Sequence, residues 1–75
     1  MIILLDSIDK VKNFVAKVSF YPCEIDLVSG RYTIDAKSIM GIFSLDLAKP
    51  ITVKVLDEKY ADKIAEDLKE FAVSD

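Results

Sequence analysis

Two runs of alternating residues on either side of Ser29-Gly30 constrain the fold of this chain more than any other feature. In residues 24–28 (Glu-Ile-Asp-Leu-Val) and in residues 31–35 (Arg-Tyr-Thr-Ile-Asp), apolar and polar side chains alternate. Because every second side chain of an extended segment lies on the same face, each run predicts a half-buried strand. A short glycine-containing turn between such runs is typical of a β-hairpin, so we expect the two strands to pair antiparallel.

Apolar residues outside the hairpin predict two more strands and two helices. Residues 2–5 are a short apolar run, and residues 51–56 alternate, so each predicts a strand. Steps of three and four predict one helix after Asp6-Ser7, ending at Tyr21-Pro22, and another that Asp57 caps. The apolar faces of these helices are Ile8, Val11, Phe14, Val15 and Val18, and Tyr60, Ala61, Ile64, Ala65, Leu68 and Phe71.

A short third helix completes the predicted set of elements. It covers residues 39–45, and Ser38 is a suitable residue to cap its start. The resulting order is β-α-β-β-α-β-α, which predicts an α+β fold in one domain over residues 1–75. We expect a four-stranded, largely antiparallel sheet with three helices on one face, because that arrangement buries all the apolar stripes together.

The composition narrows the classes of function. The chain has no histidine, one cysteine (Cys23) and a formal net charge of −3, so we expect no disulfide, no metal site and no cofactor. A weakly acidic surface has no electrostatic attraction for nucleic acid or anionic membranes. The apolar run at the beginning is too short for a signal peptide or a membrane span, and a lone thiol suits a reducing compartment, so we expect a cytoplasmic protein.

One segment carries a resemblance to a known family. Residues 36–45 (Ala-Lys-Ser-Ile-Met-Gly-Ile-Phe-Ser-Leu) resemble the corresponding stretch of HPr, the histidine-containing phosphocarrier of the bacterial sugar phosphotransferase system. The element order and the position of the Ser-Gly turn also agree with that family. The resemblance implies the HPr fold, an open-faced β-sandwich.

The resemblance also implies a regulatory site at the start of the short helix. Ser38 stands where Gram-positive HPr is phosphorylated on serine, and a phosphate there would meet the positive end of the helix dipole. Lys37, Ile39, Met40 and Phe43 are the partner-binding residues that the resemblance implies. Not all of the apolar residues of this helix can face the sheet, so we expect a partly exposed apolar patch beside Ser38.

The carrier site of the family is degenerate in this chain. Counting back from the first hairpin strand puts Ser7 at the position of the phosphorylated histidine, Asp9 at the arginine and Lys10 at the proline. Phosphoserine is a stable ester and a poor phosphate donor, and Asp6 and Asp9 would repel a phosphate. The chain thus resembles the catabolite-repression HPr paralogue, which also lacks the histidine and keeps the serine. It differs in that most of the loop before the site is missing here.

The sequence therefore predicts a regulatory, protein-binding module that is not an enzyme. Its expected partner is an HPr-type serine kinase, a transcription regulator or a component of the phosphotransferase system. Two alternatives stay open at this point. A carrier could use the thiol of Cys23, or the chain could be a structural module that associates with itself as a homodimer, through its first strand and the apolar patch.

Overall fold

The computed structural model describes residues 1–73, which form four strands, three α-helices and a short 3-10 helix. The elements are β1 (Ile2–Ile3), α1 (Ile8–Val18), β2 (Ile25–Ser29), β3 (Tyr32–Asp35), α2 (Ile39–Phe43), β4 (Ile51–Val55), α3 (Glu58–Asp67) and the 3-10 helix (Lys69–Phe71). The predicted α+β fold, with its order of strands and helices, is confirmed.

The strands form one antiparallel sheet in the spatial order β1-β4-β2-β3. In its centre, Leu27 of β2 lies opposite Ile34 of β3 and Val53 of β4. Because cross-strand partners point to the same face, these three side chains face the helices. The next pair along, Asp26 and Lys54, points to the open face. The hairpin turn lies at Gly30-Arg31, one residue later than predicted, and Gly30 adopts a φ of +59°, which glycine tolerates without strain.

The core lies between the sheet and the helices. From α1 it contains Val11, Phe14 and Val18, and from α3 it contains Ile64. Phe14 meets Phe71 of the 3-10 helix edge to face, with the ring centroids 5.9 Å apart. Edge-to-face contacts of this kind are favourable beyond the apolar area that they bury. The long helices are therefore fixed by their apolar stripes, as the periodicity predicts.

Three details of the elements differ from the prediction. The first strand ends at Ile3, where its pairing with β4 stops opposite Ile51. On the side away from β4, the amide of Leu4 donates to the carbonyl of Phe71 (3.0 Å), next to a bridge between Ile3 and Ala72. Helix α1 ends at Val18, before Tyr21-Pro22. Helix α2 ends at Phe43, where the Ser44 hydroxyl donates to the Gly41 carbonyl (2.6 Å) and closes the last turn.

Three apolar residues predicted to face the core are exposed. Tyr32 is 69 % exposed because it lies at the turn end of β3, which is an edge strand of the sheet. Ile8 is 63 % exposed because it lies at the first position of α1, at the margin of the buried stripe. Ala65 of α3 is also exposed, beside the outer edge of β4. None of the helices within residues 1–73 is long and apolar enough to cross a lipid bilayer.

Candidate docking surface at the start of the second helix

Ser38 begins α2 and presents its hydroxyl to solvent. Its backbone is extended (φ −95°, ψ 98°), and its Oγ accepts a hydrogen bond from the Gly41 amide at 3.3 Å. The amide of Ser38 donates to the Asp35 carbonyl (3.0 Å), which fixes the residue on the end of β3. This is the geometry of a helix N-cap, as predicted. The hydroxyl is exposed and only accepts in this bond, so its own proton is free to be donated to a partner or to be replaced by a phosphoryl group.

Helix α2 divides its apolar side chains between the core and the surface. Ile42 is fully buried, which fixes one side of this short helix against the sheet. Met40 is 76 % exposed and Phe43 is 40 % exposed, and three-residue spacing puts both on the same side of the helix. Ile39 is half-buried and packs against the core. The exposed part of the surface predicted at this helix is therefore made mainly by Met40 and Phe43.

Gly41 leaves free space beside the Ser38 hydroxyl. A Cβ atom at this position would lie 3.2 Å from Ser38 Oγ and 3.5 Å from Cδ1 of Ile34, closer to the oxygen than most Cβ contacts in proteins. The close approach of Ser38 Oγ therefore explains why this position is a glycine. Its φ is negative, so the helix does not need a glycine for its backbone conformation.

Lys37 is engaged within the molecule. Its ammonium donates to the carbonyl of Tyr21 (2.6 Å) and to that of Cys23 (3.0 Å), and its amide donates to the Asp35 carboxylate (2.8 Å). The lysine thereby ties the segment before β2 to the segment before α2. Its half-buried side chain is held away from Met40 and Phe43 by these bonds, and its role in partner binding stays a prediction.

The predicted remnant of the carrier site lies at the start of α1. Ser7 caps the helix by accepting from the Lys10 amide (3.1 Å), and Lys10 forms an ion pair with Asp6 at 2.8 Å. The hydrogen bond from Lys10 lowers the pKa of Asp6 below its usual value. Asp9 is exposed in the first turn. An ion pair and a second carboxylate therefore surround Ser7, and the correspondence of this helix start to the family's carrier site stays a prediction.

Ile8 is a surface residue, although the apolar periodicity of α1 predicts that it faces the core. It is exposed on α1, and α1 packs directly against α2. Its position at the first turn was the available signal, because terminal residues of an amphipathic helix often fall outside the buried stripe. Ile8 thus adds an apolar side chain to the exposed surface of the α1–α2 pair.

Cys23 is not placed for chemistry at the surface. It is 8 % exposed, and the carbonyl of the same residue is held by Lys37. Its buried position disfavours the carrier role that the sequence left open. No group of three acidic, cysteine or histidine side chains within residues 1–73 is arranged to hold a metal ion.

The chain matches the model of a known family. The family model described as "PTS HPr component phosphorylation site" matches residues 10–74. No curated protein and no solved structure matches the chain. The match begins at Lys10, so it includes Ser38 and the whole of α2 but leaves out Ser7, Ile8 and Asp9 at the start of α1.

Proposed function

This chain belongs to the HPr family of the phosphotransferase system, and on that premise we propose that it is a regulatory, protein-binding member of the system and not a carrier of histidine phosphate. The chain contains no histidine, so it lacks the imidazole on which carriers of this family hold a transferable phosphate. As part of the proposal we place it in the cytoplasm, with a serine kinase, a transcription regulator or a phosphotransferase-system component as its partner.

One observation carries this proposal. Met40 and Phe43 expose apolar surface on one side of a helix that begins at an exposed serine. Exposed apolar side chains cost solubility unless a partner covers them, so such a group beside a modifiable residue is suited to regulated docking. The apolar residues supply contact area, and Ser38 supplies the means of regulating it.

Phosphorylation of Ser38 is the proposed means of regulation. A phosphate ester adds about −1.5 to −2 charges at neutral pH, together with oxygens that accept hydrogen bonds. The first turn of α2 contains no acidic residue, and the carboxylate of Asp35, three residues before Ser38, accepts a hydrogen bond from the Lys37 amide. The modification would therefore change the charge of the surface beside Met40 and Phe43 while the buried Ile42 continues to hold the helix in place.

Incubation with an HPr-type serine kinase and ATP tests the proposal directly. We expect the intact mass to increase by one phosphate and peptide mapping to place it on Ser38. Ser38→Ala should abolish the gain. Ser44→Ala is the matched control, because Ser44 is exposed at the other end of the same helix, and it should leave phosphorylation unchanged. A chain that takes up no phosphate, or takes it up equally in Ser38→Ala, would refute Ser38 as the regulatory residue.

Self-association is the second candidate, because Met40 and Phe43 could equally be covered by another copy of the chain. Size-exclusion chromatography over a range of concentrations distinguishes the two. A dimer that Met40→Glu dissociates would favour self-association through this surface. A monomer at all concentrations would leave a different protein as the partner.

A further inference from the structure

The outer edge of β3 offers free backbone groups. β3 is the last strand in the order β1-β4-β2-β3, and no strand within residues 1–73 pairs with it on the side away from β2. On the inner side, the amide of Ala36 donates to the Ile25 carbonyl (2.9 Å). Because alternate backbone groups of a strand point to opposite edges, the amide and the carbonyl of Thr33 point outward. β3 is flanked by the hairpin turn and by α2, so its neighbours on both sides are described residues.

This edge lacks the devices that commonly keep an edge strand from pairing. Natural sheets protect their edges with bulges, prolines or lysines, or by covering the edge. The register between β2 and β3 is continuous over four residue pairs, so no bulge twists the edge away. Although β3 is short, Tyr32–Asp35 contains neither proline nor lysine, and Tyr32, Thr33 and Asp35 are exposed. The edge can therefore accept another strand.

Asp35 is an exposed carboxylate near one end of this edge. On the open face of the sheet it lies opposite Asp26 of β2, and like charges at directly opposite positions repel. Asp26 has Lys54 as its neighbour on the other side, in β4. Asp35 has no such neighbour, since its carboxylate accepts from the Lys37 amide and none of the ion pairs among residues 1–73 includes it. A cation arriving at the outer edge would therefore be attracted to Asp35.

Arg31 is an exposed cation at the other end of the same edge, and it too takes part in no ion pair of the described residues. Positions 31 and 35 are about 13 Å apart along an extended strand, too far for the two side chains of one copy to meet. The segment Arg31-Tyr32-Thr33-Ile34-Asp35 thus carries opposite charges at its ends and apolar residues at its second and fourth positions. Its character is complementary to that of its own reversed copy.

We propose that two copies of this chain pair antiparallel along the outer edges of β3, with the two Thr33 residues opposite each other on a twofold axis. The Thr33 amide of each copy then donates to the Thr33 carbonyl of the other. Arg31 of each copy lies opposite Asp35 of the other, and Tyr32 lies opposite Ile34 on the face of the helices. A second copy supplies both complementary charges and both apolar partners from one segment, which favours it over an unrelated strand.

This pairing is distinct from self-association through Met40 and Phe43, because no residue of α2 takes part in it. It does not depend on phosphorylation of Ser38. Burial of Tyr32, which is 69 % exposed, and two hydrogen bonds between the Thr33 residues supply the affinity. An interface of five residues on each copy is smaller than those of stable complexes, so we expect a weak dimer that forms at high concentration.

Amide chemical shifts of the ¹⁵N-labelled 75-residue chain, recorded from micromolar to millimolar concentration, test the inference. We expect saturable, concentration-dependent shifts at residues 31–35, and slower hydrogen exchange of the Thr33 amide at high concentration. Sedimentation equilibrium of the same samples should show a dimer. A monomer at every concentration, or shifts confined to other residues, would overturn the proposal.

Two variants separate the β3 edge from the surface at α2. Thr33→Pro removes an amide that points out of the sheet, which an edge strand tolerates, so the fold should persist while the dimer is lost. Met40→Glu should dimerise as the unaltered chain does. A dimer that persists in Thr33→Pro and dissociates in Met40→Glu would assign the contact to α2 and refute pairing along β3.

Charge exchange tests the register of the pairing. Arg31→Glu places two acidic side chains opposite each other and should raise the dissociation constant of the dimer by roughly tenfold. Lys12→Glu is the matched control, because it makes the same change of charge on the exposed side of α1 and should dimerise as the unaltered chain does. A mixture of the Arg31→Glu chain with the Asp35→Lys chain should restore pairing. Equal weakening by Lys12→Glu, or no pairing in the mixture of folded variants, would contradict the register.

Discussion

The starts of α1 and α2 have the same N-cap geometry. Each begins at a serine in extended conformation whose hydroxyl accepts the amide three residues on, at 3.1 Å for Ser7 and 3.3 Å for Ser38. Their surroundings differ. At α1 the Asp6–Lys10 ion pair and Asp9 surround the cap. At α2 the first turn has no acidic residue, and Met40 is exposed.

This difference separates what a capping serine does for folding from what it offers to a partner. Both hydroxyls satisfy an amide that the helix leaves free, so the cap explains why serine is present at either position. The cap does not distinguish the two sites. Both helix starts expose an apolar side chain, Ile8 at α1 and Met40 at α2. The clearance at Gly41 and a first turn without a carboxylate are the features of α2 that α1 lacks, and they are the reason to assign the proposed regulated surface to α2.

The largest effect that sharpens this comparison is expected from Met40→Glu. The substitution places a charge where an apolar contact is proposed, and we expect kcat/KM for phosphorylation by the HPr-type kinase to fall about 30-fold or more. The matched variant Ile8→Glu introduces the same charge on α1 and should cost less than a third of that factor. Equal losses in both variants would remove the distinction between the two helix starts.

The next largest effect is expected from Gly41→Ala. A Cβ atom 3.2 Å from Ser38 Oγ crowds the hydroxyl, so we expect phosphorylation to slow by about tenfold. Alanine is also the better helix former, so thermal unfolding should show no loss of stability. Gly30→Ala provides the contrast. It strains a backbone with φ of +59° and should lower stability by about 1 kcal/mol without slowing phosphorylation.

A smaller effect concerns the anchoring of the α2 start, which has no counterpart at α1. Lys37 holds the Tyr21 carbonyl, and the Tyr21 hydroxyl donates to the Asp67 carboxylate. That hydrogen bond raises the pKa of Tyr21 to about 12. Because the folded chain retains this proton more tightly than the unfolded chain, the stabilisation is complete below pH 10 and is lost as the pH rises through about 12.

Tyr21→Phe tests this anchor by urea unfolding at several pH values. We expect the variant to be less stable by about 1 kcal/mol at neutral pH, the usual contribution of such a bond. The difference between the two proteins should shrink between pH 10 and pH 12. A constant difference across that range would show that the hydroxyl does not donate to Asp67 in solution.

The smallest effect is expected at the start of α1. The hydrogen bond from Lys10 lowers the pKa of Asp6, so the folded chain favours the ionised carboxylate. This stabilisation is present above the ordinary pKa of 3.8 and is lost as the pH falls through the lowered value. Asp6→Asn should therefore be slightly less stable at neutral pH and equal to the unaltered chain in strong acid. Phosphorylation of Ser38 should be unaffected, since this ion pair belongs to the other helix start.

The sequence predicts the fold well because its periodicities are local and unambiguous. The alternation around Ser29-Gly30 and the stripe Val11, Phe14 and Val18 can each be recognised without knowing what they pack against. Residues at the ends of elements were predicted less well. The only local signal for the exposure of Ile8 is its position in the first turn of α1, and the apolar periodicity does not show whether a neighbour covers that turn.

The site was predictable only in part for the same reason. Ser38 and Met40 follow from the resemblance and from the spacing along one short helix. The two hydrogen bonds of the Lys37 ammonium could not be predicted, because its acceptor carbonyls lie 14 and 16 residues earlier in the chain.

The proposed function requires that phosphate reaches this protein at the start of α2 and not at the start of α1. The most direct measurement is ³¹P NMR of the chain after separate incubation with two donors, ATP with an HPr-type serine kinase and phosphoenolpyruvate with the first enzyme of the phosphotransferase system. We predict one phosphoserine signal, absent from Ser38→Ala, in the ATP sample and no protein-bound signal in the other. A protein-bound phosphate from phosphoenolpyruvate, or one that maps to Ser7, would contradict the assignment of the phosphate to Ser38.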